Sequence, residues 1–324
     1  MHISQKNLCE ILQKTTEKHS DDNSETYHID KVDSQISYDD FFCKYLVSNR
    51  PCLFGNFVTR DWKSAVEWTS RKTVNNYTEV LPNFEYLKQH FGNAKVPVAD
   101  CNKKYFNSQC KTETTFSEFI TYWENYITQG YKEKHPCLYL KDWHFVKSFK
   151  NYKLYNVAEY FHSDWLNELS DDEIESDDFR FVYMGPKGSW TPFHADVYRS
   201  FSWSANICGI KKWLLFPPGD EQYLKNVNGE LPFDVTAPEM QDMNIYPNAQ
   251  KAHCLTIVQK PGELIFVPSG WYHQVHNLDD TISINHNWLN ASNIDIVCNF
   301  LCSEFELVKK EIIDCKELMT EKNG

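Results

Sequence analysis

Apolar and polar positions follow different patterns in the two halves of the chain. An amphipathic pattern with helical spacing covers residues 115–127, and short apolar segments typical of strands lie at 52–55 and 136–140. The acidic residues of 168–178 predict an exposed loop after this half. We therefore expect residues 1–167 to form a mixed α/β region that supports the part that follows.

Beyond the acidic stretch, the pattern changes to short strands separated by turns. Phe179, Phe181 and Tyr183 alternate with Arg180 and Val182, which is the period-two pattern of a strand. Many short strands at regular spacing predict an antiparallel jelly roll or barrel. We therefore expect a mainly β fold with flanking helices and a core over residues 168–290. The turns between the strands are predicted at 185–188, 217–218, 261–263, 268–270 and 278–280.

The C-terminal segment, residues 291–324, returns to helical spacing. Its apolar positions recur about every three to four residues, with one adjacent pair, which is typical of an amphipathic helix or a pair of helices. We expect this segment to pack against its own domain, and a homodimer interface or binding in the groove of a partner is the alternative. The positions are Val297, Phe300, Leu301, Phe305, Val308, Ile312, Cys315 and Met319.

Composition and charge narrow the class of protein and of partner. The chain is 41% hydrophobic and 15% aromatic, which suits a packed core and not a disordered chain. It carries 33 Lys and Arg against 45 Asp and Glu, a net charge of −12. This balance disfavours nucleic acid as a direct partner and favours a basic, lysine-bearing segment of a protein. No apolar run is long enough to span a membrane, so we expect no membrane association.

The cysteines point to a reducing compartment. Eleven of them are spread along the chain without a C-x-x-C pair. This distribution favours free thiols over a disulfide framework or a zinc site. The first 25 residues also lack the apolar centre and the cleavage site of a signal peptide. We therefore expect a cytoplasmic protein, with the nucleus as a second location.

The candidate chemistry begins at His194-Ala-Asp196, after the turn of 185–188. In a strand, residues i and i+2 project from the same face, so this imidazole and this carboxylate can point at one atom. A third ligand is predicted at His273, which begins a strand after the turn of 268–270. Each feature alone is common, and their joint occurrence in a strand-rich region is what favours a metal site.

Two imidazoles and one carboxylate on one side of a metal leave further positions open. This ligand set suits non-haem Fe(II) and its use of dioxygen. Zinc is disfavoured because no cysteine lies at a matching spacing. His276 and His286 differ from His273 in strand parity, and His253 has no partner at ligand spacing. We interpret these three as structural histidines.

The segments around these residues resemble a known family. Residues 191–196, 209–218 and 261–273 follow each other in the order and spacing of the jumonji-C hydroxylases. The resemblance is continuous over about 179–289 and includes a lead-in segment at 49–55. It implies a double-stranded β-helix, the jelly roll of the cupins. It also implies an oxidoreductase, a dioxygenase that uses Fe(II), 2-oxoglutarate and O2 and produces succinate and CO2.

The resemblance assigns roles to individual residues. His194, Asp196 and His273 would hold the iron. Lys211, in Gly-x-Lys-x-Trp, would pair with the distal carboxylate of 2-oxoglutarate, a role that suits a fixed ammonium in a partly dry pocket. Ser204 departs from the pattern of a close relative, which carries Asn at this position, so a direct cosubstrate contact is not expected there. Further contacts to the cosubstrate or around the metal are implied for Thr191, Tyr139, Asn285 and Asn287, with Asn206 as a candidate substitute for the missing Asn.

A narrower resemblance concerns the substrate. Residues 96–101, 138–144 and 193–203 resemble a member of the family that hydroxylates a lysine of a eukaryotic translation release factor. This implies a protein hydroxylase that acts at C4 of a lysyl side chain in a translation termination factor. Two alternatives stay open: an N-methyl-lysine demethylase with the same oxidant, and a catalytically silent cupin-like binding protein. The lack of a zinc-binding cysteine cluster disfavours the first, and the intact ligand set with Lys211 disfavours the second.

Overall fold

The strands of the described chain form three β-sheets, with helices between them. A computed structural model describes residues 29–74, 77–106, 108–132, 135–172 and 179–312. The strands are β1 (Asp30–Val32), β2 (Cys52–Phe54), β3 (Thr69–Val74), β4 (Tyr77–Pro82), β5 (Lys95–Tyr105), β6 (Ser108–Thr115), β7 (Leu138–Trp143), β8 (Arg180–Gly185), β9 (Trp190–His194), β10 (Phe201–Cys208), β11 (Lys211–Phe216), β12 (Leu255–Gln259), β13 (Leu264–Val267), β14 (Tyr272–Asn277) and β15 (Thr281–Trp288).

Two α-helices of the described residues, with 13 and 18 residues, are clearly longer than the others. The α-helices are α1 (Tyr38–Phe41), α2 (Lys63–Glu67), α3 (Phe84–Phe91), α4 (Phe116–Thr128), α5 (Phe145–Ser148), α6 (Trp165–Asp172) and α7 (Ile294–Glu311). One π-helical segment lies at Phe42–Leu46. The 3-10 helices are Glu159–Phe161, Val197–Arg199, Asp220–Leu224, Pro238–Gln241 and Ala249–Lys251.

Strands β8 to β15 build the jelly roll that the sequence predicts. β8, β10, β13 and β15 lie side by side in a nine-stranded sheet, while β9, β11, β12 and β14 form a four-stranded sheet. The chain passes back and forth between the two sheets, and their strands pair antiparallel in this region. Apolar side chains of both sheets pack together, which closes the barrel on one side. This double-stranded β-helix confirms the predicted fold class.

Strands of the N-terminal region extend the nine-stranded sheet at both edges. The strand order is β1-β2-β13-β10-β15-β8-β7-β5-β6. At the β5–β6 edge, the side chains of Gln109 and Cys101 both donate hydrogen bonds to Trp190 O, at 3.1 and 3.8 Å. Trp190 begins β9 of the other sheet, so this extension curls over and adds to the barrel wall. The N-terminal region thus supports the core by direct strand pairing.

The sequence patterns of the N-terminal region correspond to elements of the structure. The helix predicted over 115–127 is α4, and Thr115 caps it. The Thr115 hydroxyl accepts a hydrogen bond from Glu118 N, and the Glu118 carboxylate accepts one from Thr115 N at 2.9 Å. This reciprocal capping box satisfies two amide groups that a helix start leaves unpaired. The extended segments at 52–55 and 136–140 contain β2 and the start of β7.

The acidic stretch is wrongly predicted as a loop over its first part. Residues 168–172 belong to α6, because Asp164 caps the start of this helix. Its Oδ1 accepts hydrogen bonds from Leu166 N and Asn167 N, at 3.1 and 3.0 Å. The remainder of the stretch, 173–178, lies outside the described residues.

The C-terminal segment forms a single amphipathic helix, α7, over its described part. Of the apolar residues predicted to pack, Val297 is buried, but Leu301, Phe305 and Val308 are 44%, 59% and 54% exposed. The expectation of packing against the same domain therefore holds only near the first turns of the helix, since the barrel does not reach further along it. Cys315 and Met319 lie outside the described residues. No helix in the described ranges is long and apolar enough to cross a membrane.

Gly209 occupies the turn between β10 and β11, where the chain passes Asp280. Its φ is +75°, and a Cβ there would lie 2.2 Å from Asp280 O. We expect Gly209→Ala to lower the free energy of unfolding by more than the roughly 1–3 kcal/mol of a strained backbone alone, because a backbone clash is added. Urea denaturation measures this. Gly188→Ala is the matched control, since its φ is +89° but nothing lies within 4 Å of the added Cβ. Equal losses in both variants would contradict the prediction.

Candidate metal centre and cosubstrate pocket

The two candidate histidines are far apart in the sequence but are direct neighbours in the four-stranded sheet. His194 is the last residue of β9, and His273 is the second residue of β14. The two strands pair antiparallel with His194 opposite His273, and the ring centroids are 4.4 Å apart. The register of these strands therefore brings the two imidazoles to one point.

A backbone carbonyl orients each imidazole. His194 Nδ1 lies 2.8 Å from Pro192 O, and His273 Nδ1 lies 3.1 Å from Trp271 O. A carbonyl oxygen can only accept a hydrogen bond, so Nδ1 carries the proton in each ring. Each Nε2 is then left with its lone pair free. This is the arrangement that orients histidine ligands in metal sites.

Asp196 completes a set of three ligands. One ligand atom from each of His194, Asp196 and His273 lies within 4.8 Å of the other two, and no other such group of three was found in the described residues. The Ser202 hydroxyl donates a hydrogen bond to Asp196 Oδ2 at 2.6 Å, which fixes the carboxylate. The structure thus brings together the three residues for which the sequence predicts metal binding.

The backbone around Asp196 differs from the predicted strand. β9 ends at His194, and Asp196 precedes a 3-10 helix over Val197–Arg199, in which two residues have positive φ of 54° and 58°. This conformation is costly for residues other than glycine. The Arg199 guanidinium is held in place by the strand of the second histidine, since it donates to the Tyr272 hydroxyl at 2.7 Å. A tight, braced turn therefore places Asp196, which strand alternation alone does not describe.

The donor set fits a divalent iron ion. Burial, followed by the neighbouring His273, lowers the pKa of His194 to about 4, so this imidazole is neutral at pH 7 and able to bind a metal. Two imidazole nitrogens and one carboxylate are donors that suit Fe(II), and they leave coordination positions for other ligands. None of the described cysteines joins this group, so it lacks the thiolates of a typical structural zinc site.

Lys211 provides a buried positive charge inside the barrel. Its side chain is 2% exposed, and Nζ donates to the Ser283 hydroxyl at 2.6 Å. Among the described residues, no carboxylate forms a salt bridge with it. Burial, and then the nearby Lys141, lower the pKa of Lys211 to about 7. A buried ammonium without a counter-charge favours an anionic ligand, so this end of the pocket fits a carboxylate. The neighbouring Lys212 faces the other side of β11 and is half-buried.

A row of polar side chains runs along β10 and β15 on one face of the nine-stranded sheet. The paired positions are Ser283 with Asn206, Asn285 with Ser204, and Asn287 with Ser202. The Ser204 hydroxyl donates to Asn285 Oδ1 at 2.8 Å, which fixes that amide. Asn206, the candidate substitute, donates its amide to Gly209 O at 2.7 Å. The row begins beside Lys211, the predicted partner of the cosubstrate carboxylate, and ends beside the metal ligand Asp196. Asn285 and Asn287 lie along the row between these two ends.

Tyr139 and Thr191 lie on two further strands of the pocket wall. Tyr139 is buried on β7, and its ring packs so closely on Gly185 that a Cβ there would lie 2.5 Å from Tyr139 Cδ2. Burial raises the pKa of Tyr139 above its usual value, so the hydroxyl keeps its proton and can donate it. Thr191 lies on β9 opposite Val275. Their contacts to the cosubstrate stay predictions.

Lys141 is a pocket residue that the sequence argument missed. It follows Tyr139 by two residues on β7 and so projects from the same face. Its side chain is 8% exposed, and its Nζ lies 6.0 Å from the centroid of the Tyr139 ring and donates to Gln109 Oε1 at 3.4 Å. Burial lowers the pKa of Lys141 below its usual value. Strand alternation from Tyr139 is the signal that could have found it.

The histidines interpreted as structural make other contacts. The His276 ring stacks on Trp190, with centroids 5.7 Å apart. His286 projects from the opposite face of β15 to the polar row, and its Nε2 lies 2.7 Å from Asp164 Oδ2. His253 is exposed, and its Nδ1 lies 3.0 Å from Asp220 Oδ2, in the segment between β11 and β12. None of the three belongs to the group of possible metal ligands in the described residues.

The hydrogen bond from Ser202 predicts a measurable effect on iron affinity. We expect Ser202→Ala to weaken iron binding about 10–100-fold, because partners that orient a metal ligand typically contribute that much. Titration of the purified protein with Fe(II) under anaerobic conditions measures the affinity. Ser204→Ala is the matched control, since Ser204 lies two residues on along β10 and bonds to Asn285 instead. An unchanged affinity in Ser202→Ala would show that Asp196 is held by other means.

The chain is similar to a cupin-like domain family and to named oxygenases from vertebrates. A family profile described as a cupin-like domain matches residues 38–294. The 2-oxoglutarate and iron-dependent oxygenase JMJD4 of Gallus gallus is 52% identical over 292 residues, which cover 90% of this chain and 67% of that protein. Its counterpart in Danio rerio is 47% identical over 312 residues, which cover 96% of this chain and 72% of that protein.

A plant relative carries a different description. A protein of Arabidopsis thaliana named arginine-specific demethylase JMJ20 is 41% identical over 303 residues, which cover 88% of this chain and 62% of that protein. The chain therefore spans between about three fifths and three quarters of the length of these relatives.

Proposed function

The chain belongs to the cupin-like, jumonji-C family of 2-oxoglutarate- and iron-dependent oxygenases, and from this premise we propose that it hydroxylates a lysyl side chain, at C4, of a eukaryotic translation termination factor in the cytoplasm. When bound, iron and 2-oxoglutarate supply the oxidising power, since O2 converts the cosubstrate to succinate and CO2 and one oxygen atom enters a C–H bond. His194, Asp196 and His273 would hold the iron, and Lys211 would hold the distal carboxylate.

The location of three segments carries the proposal. Residues 96–101, 138–144 and 193–203, on which the resemblance to a release-factor lysyl hydroxylase rests, belong to β5, to β7 and to the turn from β9 into β10. These elements carry Tyr139 and the first two metal ligands. The resemblance is thus concentrated in the wall of the pocket, where a substrate side chain must approach the metal, and this supports a shared substrate class.

The residues of the pocket would bind and orient the cosubstrate, and they exclude water from the metal centre. Lys211, held by its hydrogen bond to the Ser283 hydroxyl, would fix the distal carboxylate of the cosubstrate, and the paired imidazoles would hold the metal at the other end of the pocket. The Trp213 ring lies 5.5 Å from the His273 ring, and its indole N–H is bonded to Gln259 Oε1 at 2.8 Å. This buried indole shields one side of the metal centre from water, which protects a reactive oxidant from side reactions.

N-demethylation is the second candidate function. The same oxidant can hydroxylate an N-methyl group, and the Arabidopsis relative named as an arginine-specific demethylase favours this possibility. The two reactions differ in their products: hydroxylation adds one oxygen atom to the substrate, whereas demethylation removes a methyl group and releases formaldehyde.

Mass analysis of a recombinant termination factor tests the proposal. After incubation with the protein, Fe(II), 2-oxoglutarate and O2, we expect one lysine of the factor to gain one oxygen atom. His194→Ala is expected to abolish this gain, and His253→Ala, which alters an exposed histidine, is expected to retain it. An unmodified factor would contradict the proposed substrate. Formaldehyde release from methylated peptides without oxygen gain on lysine would favour demethylation.

A further inference from the structure

Cys101 on β5 and Cys137, the residue before β7, form a pair of thiols outside the group of metal ligands. They are the next opposed positions beyond the antiparallel Asp100–Leu138 pair, and Cys101 N donates to Cys137 O at 2.9 Å. A closely hydrogen-bonded antiparallel pair has Cα atoms about 5.5 Å apart, within the range that a disulfide can bridge.

A cavity gives small molecules access to both sulfurs. It has a volume of about 360 Å³ and is lined by Cys101 and Cys137 together with His135, Lys187 and Trp190 among others. His135 and Lys187 are exposed, so the cavity is open to solvent on their side. The two thiols, although each is less than 10% exposed, therefore face a space that admits a molecule as small as hydrogen peroxide.

The surroundings of the two sulfurs divide their roles. The neighbouring Cys137 thiol has the largest effect on the pKa of Cys101 and lowers it. Burial raises this pKa, the Trp190 backbone and Lys141 lower it, and the net effect is a lowered pKa. The pKa of Cys137 is raised, first by Cys101 and then by burial. Cys101 is a thiol while it donates to Trp190 O, and the lowered pKa makes it the one of the two that ionises more readily. A reactive thiolate with a neighbouring thiol is the usual arrangement of a reversible cysteine couple.

We propose that Cys101 and Cys137 are a redox-active pair that hydrogen peroxide oxidises to a disulfide and a dithiol reductant restores. The Cys101 thiolate attacks one peroxide oxygen, the O–O bond breaks, and the departing hydroxide takes a proton to form water. Cys137 then attacks the sulfur of the resulting sulfenic acid. The S–O bond breaks, the S–S bond forms, and the Cys137 proton leaves with the hydroxide as a second water. Two thiols are oxidised and one peroxide is reduced.

The cysteine pair lies next to the pocket wall, so its oxidation would affect residues of that wall. Tyr139 follows Cys137 by two residues on the same face of the chain, and Cys101 Sγ donates to Trp190 O, directly before Thr191. A disulfide would therefore tie together the strand of Tyr139 and β5 and would remove one of the two hydrogen bonds to Trp190 O. The chemistry of the pair itself does not depend on which substrate the enzyme oxidises.

Peptide mapping of the full chain tests the proposal. The protein is loaded with Mn(II) in place of iron, to exclude iron-catalysed peroxide chemistry, then treated with hydrogen peroxide, alkylated and digested without reductant. We expect a cross-linked peptide pair containing Cys101 and Cys137, which disappears after dithiothreitol. In Cys137→Ser, we expect a sulfenic acid on Cys101 that dimedone captures. Cys302→Ser, which alters an exposed thiol on α7, is expected to leave the yield of the cross-link unchanged.

Two results would overturn the proposal. In one, both residues remain thiols while the exposed Cys298 and Cys302 become oxidised. In the other, Cys101 proceeds to sulfinic acid without any cross-link to Cys137. Both are read from the unsubstituted chain, so the test stands even if the serine variant does not fold.

Discussion

Asp196→Ala is expected to lose its iron and, with it, the turnover of 2-oxoglutarate. Asp196 supplies the one carboxylate of the three ligands, and removing it leaves two imidazole nitrogen donors. Loss of a residue that merely orients a ligand costs about 10–100-fold, so loss of the ligand itself is expected to lower iron affinity by more than about 100-fold. Iron content after gel filtration and the rate of succinate formation measure the two effects.

A second aspartate provides the control for this variant. Asp220 also contacts a histidine, since its Oδ2 accepts a hydrogen bond from His253 N at 2.6 Å, but neither residue belongs to the group of possible metal ligands. We expect Asp220→Ala to retain both iron and turnover. If Asp196→Ala kept iron with the affinity of the unsubstituted protein, the assignment of the three ligands would be wrong.

Lys211→Met is expected to weaken 2-oxoglutarate binding at least about 30-fold. Truncating one partner of a buried, hydrogen-bonded charge pair costs about 2–5 kcal/mol, and each 1.4 kcal/mol corresponds to about a tenfold change in affinity. Calorimetric titration of the Mn(II)-loaded protein with 2-oxoglutarate measures the dissociation constant. Lys212→Met is the matched control, because this neighbour faces the other side of the same strand. Equal effects of both substitutions would contradict a specific ion pair.

The pH dependence of cosubstrate binding follows from the same lysine. Burial and the neighbouring Lys141 lower the pKa of Lys211 to about 7 in the absence of a ligand, and a bound carboxylate favours the ammonium form. Above this pH, binding must therefore take up a proton, and the dissociation constant is expected to rise about tenfold per pH unit. The same titrations at several pH values test this. A flat profile between pH 7 and 9 would contradict it.

Lys211→Met is expected to be more stable than the unsubstituted protein in the absence of ligands. The folded-state pKa of Lys211 lies below its unfolded value, so between the two values the unfolded chain binds more protons. Stability from this group therefore rises with pH through that window, and at pH 7 and below the buried charge is a cost. Lys211→Met removes this cost, and thermal denaturation at pH 6 to 7 is expected to show a higher midpoint.

Much of the metal centre could be predicted from local sequence. The family resemblance selects Lys211, which the structure buries inside the barrel, and alternation within one strand agrees with Asn285 and Asn287 lying on one face. The local pattern also indicates that His273 belongs to a strand. The pairing of that strand with β9 is a long-range property that local alternation does not reveal.

The features that could not be predicted depend on contacts between distant segments. Asp196 is placed by a turn that Tyr272 braces, and nothing in the local pattern at 194–199 shows that contact. The apolar face of α7 resembles that of any packed helix, but its periodicity does not tell whether a neighbour covers it, and Leu301 and Phe305 are exposed. Lys141 was missed because a buried lysine is an exception to the usual preference for exposed lysines.

The facing of His194 and His273 across β9 and β14 also affects how the chain folds. Shifting one of these strands by a single residue would turn its imidazole to the opposite face of the sheet, so the ligand set exists only in the native register. The two strands are remote in the sequence, so closing the loop between them is slow. The unfolded chain does not hold the two imidazoles side by side and therefore lacks this metal site. Iron that binds the native state alone stabilises it by mass action. A shortage of iron would consequently remove part of the free energy that keeps the barrel folded, in addition to the activity.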